Sequence, residues 1–152
     1  MKKFVSLLLA MLMVLSLVAC GGDGGQSNTN SGDKVIKIGV FEPLSGDSAS
    51  GGKKEVLGMQ YANSETPTVE LNGETYKVEL VLSDNGSSTD KAPSAASDLV
   101  SKGVSLVLGT YGSGAAMAGG PKFGEAGIAA IGVTCTNPNV TAGNDYYFRI
   151  CF

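Results

Sequence analysis

Apolar and polar residues change their spacing several times along this chain, and each change marks an element. From Lys34 onward, short apolar runs alternate with stretches of helical spacing. Val35 to Phe41 (VIKIGVF) predicts a strand. Gly52 to Asn63 predicts a helix whose inner face carries Val56 and Met59, extended by Leu57 and Ala62. Asn72-Gly73 signals a tight hairpin, and Tyr76 to Leu82 alternates as its second arm. Asp84 to Ser88 (DNGSS) is a turn. Thr89 or Asp90 can cap the helix that follows, which tolerates Pro93 in its first turn and ends near Lys102 with Gly103 as C′. Val104 to Leu108 is a compact apolar run broken only by Ser105, which fits a strand covered on both faces. A short helix over Gly114 to Phe123, a strand over Ile128 to Val133 and a last strand over Tyr146 to Ile150 complete the pattern. Strands and helices that alternate with short links predict an α/β fold built on a doubly wound parallel sheet.

The N-terminus follows a different rule. Lys2 and Lys3 precede a near-continuous apolar stretch from Phe4 to Val18. That stretch is short for a spanning helix and fits a secretory signal peptide over residues 1–19. Leu17-Val18-Ala19-Cys20 resembles the lipobox of bacterial lipoproteins, which implies cleavage before Cys20 and a diacylglycerol on its thiol. Two acyl chains, at about 0.8 kcal/mol per buried CH₂, suffice for stable anchoring. A plain signal peptide with an incidental Cys20, or an uncleaved anchor, is the alternative. Residues 21–33 (GGDGGQSNTNSGD) contain no apolar side chain and predict a flexible linker between the lipidated Cys20 and a folded part over 34–152.

Composition narrows the chemistry. None of the 152 residues is histidine, which removes Ser-His-Asp and Cys-His catalysis and His-ligated zinc. Three cysteines cannot complete a four-thiolate cluster, so neither a metal nor a cofactor is expected. Eleven basic against 14 acidic residues give a net charge of −3, and no basic run exceeds a Lys-Lys pair. This argues against a nucleic-acid surface.

Parallel sheets bind ligands beyond the carboxyl ends of their strands, at the topological switch point. The loops to inspect are therefore residues 42–52, 109–114 and 133–138. Gly112-Ser113-Gly114 opens a predicted helix, where free N–H groups and the helix dipole favour a carboxylate or phosphate and Ser113 adds a hydroxyl. Ser113 as a simple N-cap is an equal reading. No Gly-Lys-Ser/Thr follows, so this is not a P-loop. Thr134-Cys135-Thr136-Asn137-Pro138 offers hydroxyl and carbonyl oxygens to an ammonium group, which with Ser113 would suit a zwitterion. An Asn-Pro turn with self-satisfied threonines is the alternative. Cys135 reads as a small buried residue, and a Cys135–Cys151 disulfide is left open. Glu42 reads as a solvated loop carboxylate, and Asp84 and Asn85 read as turn formers.

Several segments in order resemble one family. They are Lys37-Ile38-Gly39-Val40 with Pro43-Leu44-Ser45-Gly46, Gly58, Leu82-Ser83-Asp84-Asn85, Val107-Leu108-Gly109, Ser113, the Thr134–Pro138 segment and Tyr147-Phe148-Arg149. Together they resemble the branched-chain amino-acid-binding proteins, type I periplasmic binding proteins that deliver solute to ABC importers. The resemblance implies a receptor that closes two lobes on an amino acid, with no catalysis, and passes it to permease subunits. It implies Ser113 on the α-carboxylate, with Thr134 and Thr136 holding the carboxylate and ammonium. Gly51 stands where some relatives place an aromatic contact, and Gly112 where some place a half-cystine. The family is longer, so residues 34–152 are expected to be the N-terminal lobe, with the second lobe missing. The expected molecule is exported, monomeric when full length, and held by its lipid at the outer face of the cytoplasmic membrane or the periplasmic side of an envelope membrane. A ligand-sensing or amide- and urea-binding protein of the same fold is the nearest alternative. An exported hydrolase is more distant, since Ser113 has no histidine to activate it.

Overall fold

Strand β1 (Val35–Glu42) is central to the sheet because its alternation is apolar on both faces. The computed structural model describes residues 34–151, so the expected signal peptide, Cys20 and the linker lie outside the described residues. β1 pairs in parallel with β3 (Glu74–Asp84), from Val35 opposite Lys77 to Glu42 opposite Asp84. On its other side it pairs in parallel with β4 (Leu106–Leu108), with Gly39 opposite Val107. β5 (Ala129–Gly132) and β6 (Tyr147–Arg149) extend the sheet in parallel, and β2 (Thr68–Leu71) closes the far edge antiparallel to β3. The order β2-β3-β1-β4-β5-β6 is the mostly parallel, doubly wound α/β sheet that the pattern predicts, with one antiparallel edge strand. At the β2–β3 hairpin, Asn72 (φ 53°) and Gly73 (φ 78°) both take positive φ, the signature of a type I′ turn.

Among the described residues three α-helices cover the sheet: α1 (Ala49–Glu65), α2 (Ala92–Ser101) and α3 (Ser113–Glu125). α2 and α3 pack against each other and enclose the core, with Phe41 of β1, Leu99 of α2, Val107 of β4 and Phe123 of α3 fully buried. The rings of Phe41 and Phe123 meet edge to face, centroids 5.4 Å apart at 82°. That contact depends on Gly119, where a Cβ would stand 2.6 Å from Phe41 Cζ.

α1 packs on the opposite face, against β1 and β3. It runs longer than the spacing predicts at both ends, and its inner face is narrower. Val56 is buried and Met59 half-buried, but Leu57 and Ala62 are exposed, because the helix touches the sheet along a single stripe. An apolar groove of about 520 Å³ remains beside it, lined by Ile38, Met59, Val78, Leu80, Leu108 and Val133.

Two local expectations need correction. Neither Thr89 nor Asp90 caps α2. Lys91 occupies the cap position with no side-chain bond, and Ser88 Oγ instead accepts from the N–H groups of Asp90 (3.2 Å) and Lys91 (3.4 Å). Val104 and Ser105 precede β4 rather than belonging to it, although Val104 is buried. Gly103, at φ 70°, takes the C′ role assigned to it.

Asp84 joins the loop after β1 to the end of β3. Its Oδ1 accepts from the N–H groups of Leu44 (2.8 Å), Ser45 (3.2 Å) and Gly86 (2.8 Å), and its Oδ2 from Ser45 Oγ (2.6 Å). Partial burial pushes the carboxyl up, but these donors outweigh it and hold Asp84 below the usual aspartate range. The residue that reads as a turn former therefore also fixes the entry to α1.

Candidate functional site

Because β1, β4, β5 and β6 run in parallel, their carboxyl ends lie along one edge, where the following loops form a cleft. The cleft has a volume of about 560 Å³ and is lined by Tyr111, Ser113, Thr134, Thr136, Ile150 and Cys151, with Gly112 and Val133. Sequence reasoning singled out Ser113, Thr134 and Thr136 from two separate loops, and all three line this one cleft.

Ser113 is the first residue of α3, and the cap is Gly112 at φ 114°, so the N-cap reading of Ser113 does not hold. A side chain at residue 112 would be strained at that φ, and the glycine turns the chain so that the helix begins at the cleft. Ser113 Oγ accepts from the Asn137 N–H at 3.1 Å, tying the two loops together and keeping its own proton free to donate. The first N–H groups of α3 have no intrahelical acceptor, and they open on the same cleft.

The 134–138 segment is held from behind. Arg149 Nη1 donates to the carbonyls of Thr136 (2.8 Å) and Cys135 (3.4 Å), and Cys151 Sγ lies 3.1 Å from the Cys135 carbonyl oxygen. Arg149 thus occupies carbonyl oxygens that looked available for an ammonium group, leaving the threonine hydroxyls as the exposed acceptors. Thr134 Oγ1 donates to Glu55 Oε1 of α1 at 2.5 Å, so its lone pairs remain for a ligand. Cys135 and Cys151 are both free thiols. Burial pushes the Cys135 thiol up to about 11, with Cys151 adding to the effect, so it is not a reactive thiolate.

Glu42 departs most from its expectation. It is fully buried rather than a solvated loop carboxylate, because the chain after β4 folds over it and Tyr111 N donates to its Oε2 at 2.8 Å. Burial and the neighbouring Glu55 raise its pKa to about 9. Asn85 is also fully buried. Its Oδ1 accepts from Ser87 N as a turn former does, while Nδ2 donates to Thr110 Oγ1 at 2.7 Å. Sequence reasoning missed Glu55, Tyr111 and Arg149 as well. For Glu42 a signal existed: a charge inside the apolar run Val40-Phe41-Glu42-Pro43-Leu44. For the other three there was none, since their partners lie far away in sequence.

The space above Gly51 is filled from another element. The ring of Tyr111 lies over it, and a Cβ at residue 51 would be 2.6 Å from Tyr111 Cε2 and Cζ. An aromatic ring therefore stands beside the cleft even though residue 51 has no side chain.

A sequence profile of the periplasmic binding protein family matches residues 35–151. The Leu/Ile/Val-binding protein homolog 3 of Brucella melitensis is 31% identical over 142 residues, covering 92% of this chain and 38% of that protein. A leucine-binding protein of Thermotoga maritima superposes with a TM-score of 0.71 at 34% identity, covering 78% of this chain and 33% of that one. A branched-chain amino acid transporter substrate-binding protein of Streptococcus pneumoniae, in complex with isoleucine, gives 0.68 at 33% identity, covering 76% and 33%. A solute-binding protein of Rhodopseudomonas palustris in complex with benzoate gives 0.64 at 28% identity, covering 76% and 32%. The chain spans about a third of the length of these relatives. The profile covers most of the chain, and the sheet order and the cleft at its carboxyl edge fit it. The chain belongs to the periplasmic binding protein family.

Proposed function

We propose that this chain is the N-terminal lobe of a solute receptor that binds an amino acid, branched-chain or similarly small and aliphatic, for an ABC importer. The observation that carries the reading is the convergence of the α3 N-terminus and Ser113 with the hydroxyls of Thr134 and Thr136 on one cleft. Donors on one side suit a carboxylate, and acceptors on the other suit an ammonium. Glu55 lies directly behind Thr134, which favours a cationic group there. The chemistry is reversible binding rather than catalysis, with the opposite wall of the cleft contributed by a second lobe. The proposed partners are the permease subunits of the importer. Residues 1–19 serve as signal peptide, Cys20 carries the lipid at the outer face of the cytoplasmic membrane, and 20–33 tether the lobe. The receptor acts as a monomer.

Benzoate in one relative supports a second reading, an aromatic acid, since a carboxylate is common to both solutes. Calorimetry of the full chain with leucine, isoleucine, valine and benzoate separates them. Heat with the amino acids and none with benzoate is expected, and the reverse overturns the amino-acid reading. Ser113→Ala should weaken binding by about 1–3 kcal/mol, the range for a hydrogen bond to a charged group. Unchanged affinity removes Ser113 from the site. Cys20→Ser should move the protein from the membrane fraction to the soluble one, and retention in the membrane overturns the lipid anchor.

A further inference from the structure

A fully buried carboxyl and a half-buried one meet behind the cleft, and neither is in an ion pair among the described residues. Glu42, at the end of β1, is fully buried, and Glu55 of α1 is within hydrogen-bonding reach of it. Each has one oxygen accounted for: Glu42 Oε2 accepts from Tyr111 N at 2.8 Å and Glu55 Oε1 from Thr134 Oγ1 at 2.5 Å. Each also has one buried oxygen without a partner, Glu42 Oε1 and Glu55 Oε2. Two ionised carboxylates cannot both occupy such a place unpaired, because like charges in a poorly solvated site disfavour each other's ionisation. A proton on Glu42 would give both orphaned oxygens a partner, since a protonated carboxyl donates one O–H bond and an ionised one accepts it.

Among the described residues the surroundings offer Glu42 neutral donors but no ion pair. From the segment after β4, the Thr110 hydroxyl and Tyr111 N–H face Glu42. From β6, the Tyr147 hydroxyl is near but donates to the Gly109 carbonyl at 2.8 Å. After β5 stand Thr134 and the neutral thiol of Cys135, with Cys151 beyond it. Arg149 spends its Nη1 on the carbonyls of Cys135 and Thr136, and its buried Nε has no partner among the described residues. None of the three ion pairs among the described residues includes Glu42 or Glu55.

We propose that Glu42 holds a proton at neutral pH and donates it to the Glu55 carboxylate, and that this pair is a positioning device for Thr134 which makes solute capture proton-linked. The chain of bonds runs Glu42 O–H to Glu55, with the Thr134 O–H donating to the same carboxylate from the other side. Thr134 is thereby fixed as an acceptor toward the cleft, with one negative charge behind it. Loss of the shared proton puts a second charge in the buried pair, drives Glu55 from its place and frees the Thr134 hydroxyl to turn. The inference rests on the amino-acid reading of the cleft and adds its regulation.

The test has two arms on the full chain. Infrared difference spectra between pH 6 and pH 10, without ligand, should show a protonated carboxyl that ionises in the alkaline range. The band should be absent in Glu42→Gln, and its midpoint should move to lower pH in Glu55→Gln, where the neighbouring charge is gone. Calorimetry with isoleucine should then show affinity falling by up to about tenfold per pH unit above that midpoint. Glu42→Gln, uncharged at every pH, should keep only the fall due to the amino acid's own ammonium. A carboxyl band missing from the wild type, or pH profiles of binding that coincide in wild type and Glu42→Gln, overturns the proposal while the amino-acid reading stands. A carboxyl band as expected with no isoleucine heat at any pH overturns the amino-acid reading, and the proton-linked capture falls with it.

Discussion

Replacing Phe41 by alanine should cost about 3–5 kcal/mol of folding stability, the range for removing a buried aromatic side chain. The ring is 0% exposed and fills the junction of β1, α2 and α3. Gly119 beside the ring has no side chain to fill the space it would leave, and the edge-to-face contact with Phe123 would be lost. Domains of this size are stable by about 5–15 kcal/mol, so the loss would consume a large share of what holds the fold. Thermal melting followed by circular dichroism should show a midpoint lower by roughly 10 °C or more. Phe41→Leu, which keeps most of the volume, should lose less than half as much. A loss below about 1 kcal/mol for the alanine variant would mean that the edge-to-face contact with Phe123 does not organise this core.

The second large effect concerns pH. Glu42 has its pKa raised from 4.5 to about 9 in the folded chain, by burial first and by Glu55 second. Between those values the folded state binds a proton that the unfolded state has released. Stability should therefore be full below about pH 4.5 as far as this group is concerned, and should fall as pH rises toward 9. The slope approaches about 1.4 kcal/mol per pH unit while one whole proton separates the two states. Asp84 has a lowered pKa and acts in the opposite sense, losing its contribution as pH falls through the acid range. Cys135, raised from 9.0 to about 11, prolongs the alkaline decline beyond the window of Glu42. Denaturant midpoints measured at half-unit steps from pH 5 to pH 9 should fall in the wild type and stay nearly level in Glu42→Gln. A wild-type profile as flat as that of the variant would place an ionised carboxylate at residue 42.

What could be read from the sequence was what neighbouring residues decide among themselves. The Asn72-Gly73 turn, the C′ role of Gly103 and the Leu106–Leu108 part of the predicted strand each depend on a few adjacent positions, and each is in place. Ser113, Thr134 and Thr136 were found because the carboxyl edge of a parallel sheet limits where a ligand can sit, and the structure brings them to one cleft. The failures share a different cause. Glu42 is buried by Tyr111, 69 residues further on, and Thr134 meets Glu55 across 79 residues. Leu57 had the spacing of an inward residue, yet its exposure depends on how much sheet lies under α1, which no local pattern encodes. Ser113 lost its cap role because Gly112 takes a backbone conformation that frees the serine for the neighbouring loop.

The ring of Tyr111 lying across Gly51 also bears on how this cleft can change by substitution. A larger residue at 51 has no room while Tyr111 stays, and a smaller residue at 111 leaves a hole above the glycine. The two positions belong to different elements, residue 51 to the first turn of α1 and residue 111 to the segment after β4, yet they share one volume and can be exchanged only as a pair. Single substitutions at either should therefore be worse tolerated than the double change that moves the aromatic ring from 111 to 51. A library randomised at both positions and selected for isoleucine binding should return chains with one ring between them, and seldom two or none.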